Sequence, residues 1–214
     1  MSARPTLAAV VIAWAAAGGC GAAAPPVVLD GSWPAPTARA SVDDATDAYA
    51  AQTAAWTRHA TLRRGYREVL TVDATLLAPP WRVAHAERAA ALSGQPVAPL
   101  LEAERAADDE AYAVQLLLTT WERRENNLDQ GERATWQVAL IAEDGTVVPA
   151  RRVARDKRPR TAIAAEFPTM GDFAQAYVAY FPRELALLGP STREVRLRLH
   201  GTQGAVELRW QQPR

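Results

Sequence analysis

Cysteine is almost missing from this chain: Cys20 is the single one in 214 residues. That excludes an intrachain disulfide framework and any multi-cysteine zinc site. Histidine occurs only at 59, 85 and 200, too far apart for the usual metal-ligand spacings, so neither a metal nor a cofactor is expected. Lysine is as rare. Lys157 is alone, and arginine supplies the other 23 of the 24 cations, against 24 acids. A chain with no net charge has no field to draw in nucleic acid, which is not an expected partner. The apolar run Leu7–Ala17 has eleven residues, where a membrane-spanning helix needs about 20. Glycine-rich phosphate loops and a Gly-x-Ser-x-Gly elbow are absent as well.

Alanine, by contrast, fills 46 positions, 13 of them before residue 41. The hydrophobic fraction therefore overstates the core. Seven Trp and five Tyr among the larger apolar residues suffice for one compact domain.

At the N-terminus, Arg4 and the free amine precede Leu7–Ala17, and Ala17-Gly18-Gly19-Cys20 follows. A positive start, a short apolar stretch and small residues form a secretory leader. With Cys20 at its end, the stretch resembles the lipobox of bacterial lipoproteins, with Ala17 where Leu is usual. The resemblance implies cleavage between Gly19 and Cys20, acylation of the Cys20 thiol and a lipid-anchored envelope protein carrying palmitate. Gly21 rather than Asp after the Cys resembles the outer-membrane sorting pattern. A second reading is ordinary secretion with cleavage near Ala22-Ala23-Ala24. Residues 1–19 are thus expected to be a signal peptide. Residues 20–40, rich in Pro and Ala, are expected to be a tether in which Trp33 either docks on the domain or dips into lipid.

The folded unit is expected over 41–214. Ser41 with Asp44 signals a helix start, and Tyr49, Thr53, Trp56 and Ala60 share a face, predicting a helix over 42–64 capped by Gly65. Alternation over 66–77 predicts a strand with Leu70, Val72, Ala74 and Leu76 inward. Two helices, 80–93 and 97–109, precede a strand over 111–121. Further strands are read at Trp136–Ala142, Thr146–Arg155, Thr161–Phe167 and Tyr177–Phe181, and a last hairpin carries Val195, Leu197 and Leu199 against Val206, Leu208 and Trp210. Pro149 puts its strand at a sheet edge. The seven or eight strands predict a mostly β fold with helices (α+β): an antiparallel β-sandwich, immunoglobulin-like in general plan. It has an N-terminal helix and two helices inserted between the first two strands. A small barrel with packed helices is the alternative. The Trp residues at 56, 81, 121, 136 and 210 are read as core.

Two groups of residues invite a functional reading. Trp81, His85 and Arg88 share one helix face, as an anion or carbohydrate site would require; packing of the Trp with a snorkelling His and Arg is the plainer account. Arg151, Arg152, Arg155, Lys157, Arg158 and Arg160 form the densest charge in the chain. They suit an anionic surface or an acidic envelope partner, or else keep an edge strand soluble. The acids Glu102, Glu104, Asp108, Asp109 and Glu110 are read as a solvated helix face. His59 and His200 have no carboxylate or Ser at a recognisable spacing. With no catalytic set in view, the leading expectation is a lipid-anchored binding or structural domain without catalysis. The alternatives are an enzyme built around His85 and an accessory subunit of an envelope assembly that pairs through its edge strand.

Overall fold

A computed structural model describes residues 25–184 and 186–213. Cys20 and the leader lie outside the described residues. Four α-helices, two 3-10 turns and nine strands follow in the order α1(Val42–Trp56), β1(Thr57–Arg64), β2(Arg67–Leu76), α2(Pro79–Ser93), α3(Val97–Glu110), β3(Tyr112–Thr120), the 3-10 turns Arg123–Glu125 and Leu128–Arg133, β4(Trp136–Ile141), β5(Val147–Pro149), β6(Arg152–Arg155), α4(Arg160–Glu166), β7(Gln175–Phe181), β8(Glu194–Gly201) and β9(Gly204–Gln211). They form two antiparallel sheets, ordered β1-β2-β3-β7-β6 and β5-β4-β8-β9. No ladder closes the sheets into a barrel among the described residues. The fold is mixed α+β.

Alternation dictates which side chains meet. Leu70, Val72, Ala74 and Leu76 of β2 and Val114, Leu116 and Leu118 of β3 point one way. They join Trp136, Val138, Leu140, Leu197, Leu199, Leu208 and Trp210 of the smaller sheet in one buried cluster. β3 departs from alternation: Ala113, Gln115 and Leu117 on its other face are buried too. Helices cover that face, so one end of the larger sheet is enclosed on both sides. Pro149 does sit on an edge strand, β5.

Four expectations need correction. The first helix stops at Trp56, and Thr57–Arg64 is a strand paired with β2. No breaker separates the two. Thr57, His59 and Thr61 alternate with Arg58, Ala60 and Leu62, and the pairing energy of a hairpin decides the switch. Gly65, at φ 60, makes the hairpin turn instead of capping a helix. The two inserted helices accordingly lie between the second and third strands. Next, Arg160–Glu166 is helical, with Pro159 as its N-cap and Ile163 and Phe167 buried one turn apart. Third, Thr146–Arg155 is broken into β5 and β6, which belong to different sheets. Last, Trp121 is 64% exposed, unlike the other four tryptophans read as core.

The Pro/Ala-rich segment is not loose from residue 27 on. Val27 and Leu29 are buried, and the Val27 amide donates to Gln211 O at 2.9 Å. Trp33 packs against the cluster of Val83, Ala86 and Leu101 on the helices, under the Arg105 guanidinium. Arg39 donates to the buried Glu87 at 2.9 Å.

Candidate functional site

The helical layer does not lie flush on the larger sheet. A cleft of about 530 Å³ remains between them. Trp81 and His85 of α2 and Glu104 of α3 form one wall. Ala113 and Gln115 of β3, Val178 and Tyr180 of β7 and Arg152 and Ala154 of β6 form the other. Asp156, Lys157, Arg158, Glu166 and Phe167, in and around α4, close one side. Trp81 and His85 thus share a cavity with Arg152, Arg155, Lys157 and Arg158, about seventy residues away in sequence.

The aromatic wall is a stack. Trp81 stacks with His85, at 5.1 Å and 9° from parallel, and with Phe167, at 5.8 Å and 11°. Its indole N–H donates to Thr53 Oγ1 of α1 at 3.0 Å, so the ring is held by stacking and at its polar edge.

Behind the stack runs a chain of charges. Glu104 accepts from His85 Nδ1 and from Arg82 Nη1, both at 2.7 Å. Arg82, almost wholly buried, also donates from Nε to Leu77 O at 2.8 Å and lies 3.4 Å from Asp108. Arg183 reaches the other Asp108 oxygen at 2.9 Å. Burial pushes the Glu104 carboxyl up, but the bonds and charges of His85 and Arg82 outweigh it and hold Glu104 below its ordinary value. At Asp108 burial wins over Arg183 and Arg82, and its carboxyl is raised. An ionised Glu104 can only accept, so the proton sits on His85 Nδ1, and Nε2 is the nitrogen left for other partners.

The cations divide into committed and uncommitted. Arg158 is spent on Asp156 at 2.8 Å and Glu166 at 2.7 Å. Those bonds offset the burial that would raise Asp156 and leave its carboxyl lowered. Arg155 lies 3.6 Å from Asp129 and over the Tyr177 ring. Arg152 rests on the Tyr180 ring, 4.4 Å from its centre. Neither Arg152 nor Lys157 has a carboxylate partner among the described residues. On the cleft floor, Gln115 Nε2 is buried without a hydrogen bond of ordinary length and angle, although the amide helps hold Asp156 low.

No family model matches the chain, and no curated protein or solved structure is similar to it.

The other residues singled out in the sequence fall elsewhere. Arg88 caps the Tyr49 ring at 4.9 Å and does not line the cleft. Arg151 pairs with Glu184 on the surface. Arg160 bonds to the carbonyls of Ala174 and Gly171. The acids of α3 are not all solvated: Glu104 and Asp108 turn inward, because Arg82 and Arg183 offer them partners. His59 does have a carboxylate. Asp73, directly opposite on β2, accepts from its Nδ1 at 2.9 Å, a pairing that becomes visible only once Thr57–Arg64 is a strand. Groups of His, Cys, Asp or Glu that could hold a metal are absent among the described residues.

Proposed function

We propose that this protein is a lipid-anchored component of a bacterial cell envelope whose domain binds a small aromatic or apolar anion, without catalysis. One observation carries the binding reading: Arg152 and Lys157, which have no carboxylate partner among the described residues, border a cleft whose far wall is the Trp81 stack. Cations without carboxylate partners opposite an aromatic face suit a ligand with a flat apolar body and an acidic head. The two sheets sharing one core are read as a sandwich of immunoglobulin-like general plan. The anchor rests on the lipobox resemblance at Cys20. With packing beginning at Val27, at most about 25 Å of chain would separate the lipid from the domain. The domain would then ride close to the membrane surface.

Two experiments test the reading. Metabolic labelling with a palmitate analogue should mark the native protein and leave Cys20→Ala unlabelled and released from membranes; equal retention without label in both discards the anchor. For the cleft, 4-nitrophenyl phosphate should bind saturably, and the double variant Arg152→Ser/Lys157→Ser should weaken its Kd about tenfold or more. An unchanged Kd removes the cleft as the site.

A second reading, an enzyme built around His85, is favoured by one observation: the cleft and the Glu104 carboxylate that orients His85 Nδ1 at 2.7 Å. This is how a general base is held. Release of nitrophenolate that disappears in His85→Gln would move the conclusion to catalysis. Bound but unhydrolysed ester supports the first reading.

A further inference from the structure

A second concavity, an open groove of about 820 Å³, lies at the other end of the larger sheet. Val27 docks beside Gln211 and Pro25 O accepts from Arg58, where β1 begins and β9 ends. The groove sits where β1 finishes and β2 begins, with Glu68 and Thr71 on its wall.

Three properties define what the groove can hold. The first is its rim. Trp121 is 64% exposed and Phe173 79% exposed. Leaving such a ring in water forgoes the favourable burial of its apolar surface. Trp121 is nevertheless held in place: Arg67 lies 5.2 Å from its ring centre and is tied to Glu122 at 3.0 Å. Its backbone N–H also donates to Val69 O at 3.0 Å. An exposed ring fixed in this way is a ready contact surface.

The second is the polar lining. Thr71, Thr119 and Gln175 supply hydroxyl and amide groups. The third is charge. Glu68 and Asp172 are matched by Arg123 and Arg155, so the groove selects neither an anion nor a cation. Glu68 already accepts from Thr71 Oγ1 at 2.6 Å, and Arg155 is already beside Asp129.

We propose that this groove binds a neutral oligosaccharide. Sugar rings present apolar C–H faces, which suit the negative faces of aromatic rings, and hydroxyl edges, which suit a floor of Thr and Gln. An extended peptide is served less well. Its usual mode adds a strand to an open sheet edge, and the groove is lined mainly by the ends of the interior strands β2, β3 and β7, touching the edge strand β6 only at its last residue, Arg155. The inference depends neither on the lipid anchor nor on the cleft under the helices.

The test uses the full chain in detergent with three probes: chitotetraose, cellotetraose and maltotetraose. Saturation-transfer NMR should show transfer to ring C–H protons of at least one sugar, with saturable heat in calorimetry. Trp121→Ala and Phe173→Ala should each weaken that Kd about tenfold. Trp121→Phe should keep most of the affinity, and Arg152→Ser, in the other cleft, all of it. Both alanine variants change exposed side chains, and unaltered thermal midpoints will show that they fold. Absence of transfer from all three sugars, or affinity untouched by Trp121→Ala, overturns the proposal. So does binding of the peptide Gly-Trp-Gly in the groove without any sugar binding.

Discussion

Replacing Arg82 by Met is expected to cost about 3–5 kcal/mol of folding stability, the penalty for leaving buried carboxylates without their cation. Arg82 is the only cation touching both Glu104 and Asp108 among the described residues. Met fills much of the same space, so the loss is electrostatic rather than a cavity. The pH dependence makes the assignment testable. In the native protein Glu104 is held low, so its contribution is present above the unfolded carboxyl value. It is lost as the pH falls through the lower folded value. In the variant both carboxyls are buried with less compensation, and their folded values rise. Their protonated forms then stabilise the folded state at low pH, and that benefit is lost as the pH climbs through the raised values. The deficit of Arg82→Met in urea denaturation should therefore be largest near neutrality and shrink below about pH 5. A deficit that stays flat from pH 4 to 8 would assign it to packing. Asp108→Asn should cost far less. Burial already outweighs the arginines at Asp108, Arg82 keeps Glu104, and Arg183 is partly exposed.

This network also shows how far the sequence could be read. The hairpin β8–β9 and the inward face of β2 follow from alternation, because one of their faces meets water or polar side chains; β4 alternates only around Gln137, since Ala139 and Ile141 on its second face are buried as well. β3 is enclosed on both faces, and only its inner half obeys the rule. The boundary between α1 and β1 falls between Trp56 and Thr57 without a Gly or Pro, and a helical face that includes Ala60 continues smoothly across it. At α4, Thr-Ala-Ile-Ala-Ala reads as either period over seven residues; the contact of Phe167 with Trp81 decides for the helix. The cleft was legible in pieces. Trp81 and His85 stood out by helical spacing, and Arg152 to Arg158 by charge density. Their meeting across about seventy residues has no signature in one sequence. Arg82 gave no signal at all among 23 arginines, since only its burial distinguishes it.

Trp210→Ala is expected to be the other severe lesion, at about 3–5 kcal/mol. Trp210 is wholly buried near the end of β9, opposite Val195 of β8. Its indole N–H donates at 2.8 Å to Trp56 O, the carbonyl at which α1 gives way to β1. The ring also lies 5.9 Å from the Arg58 guanidinium, which is buried, bonded among the described residues only to carbonyl oxygens, and pushed by burial down to about 10. One side chain therefore ties the last strand of the smaller sheet to the helix–strand junction and to the segment entering at Pro25. Truncation opens a cavity beside a buried cation and strips a donor from a buried carbonyl. Phenylalanine separates these effects. Trp210→Phe keeps most of the apolar volume and loses the hydrogen bond, costing about 1–3 kcal/mol for the unpaired carbonyl in addition to the smaller ring. Trp136 is the natural control, equally buried but with an indole nitrogen that has no partner. Trp136→Phe should cost less than Trp210→Phe when denaturant midpoints are compared at equal m-value. If the two substitutions cost the same, the bond to Trp56 contributes nothing and the role of Trp210 reduces to volume.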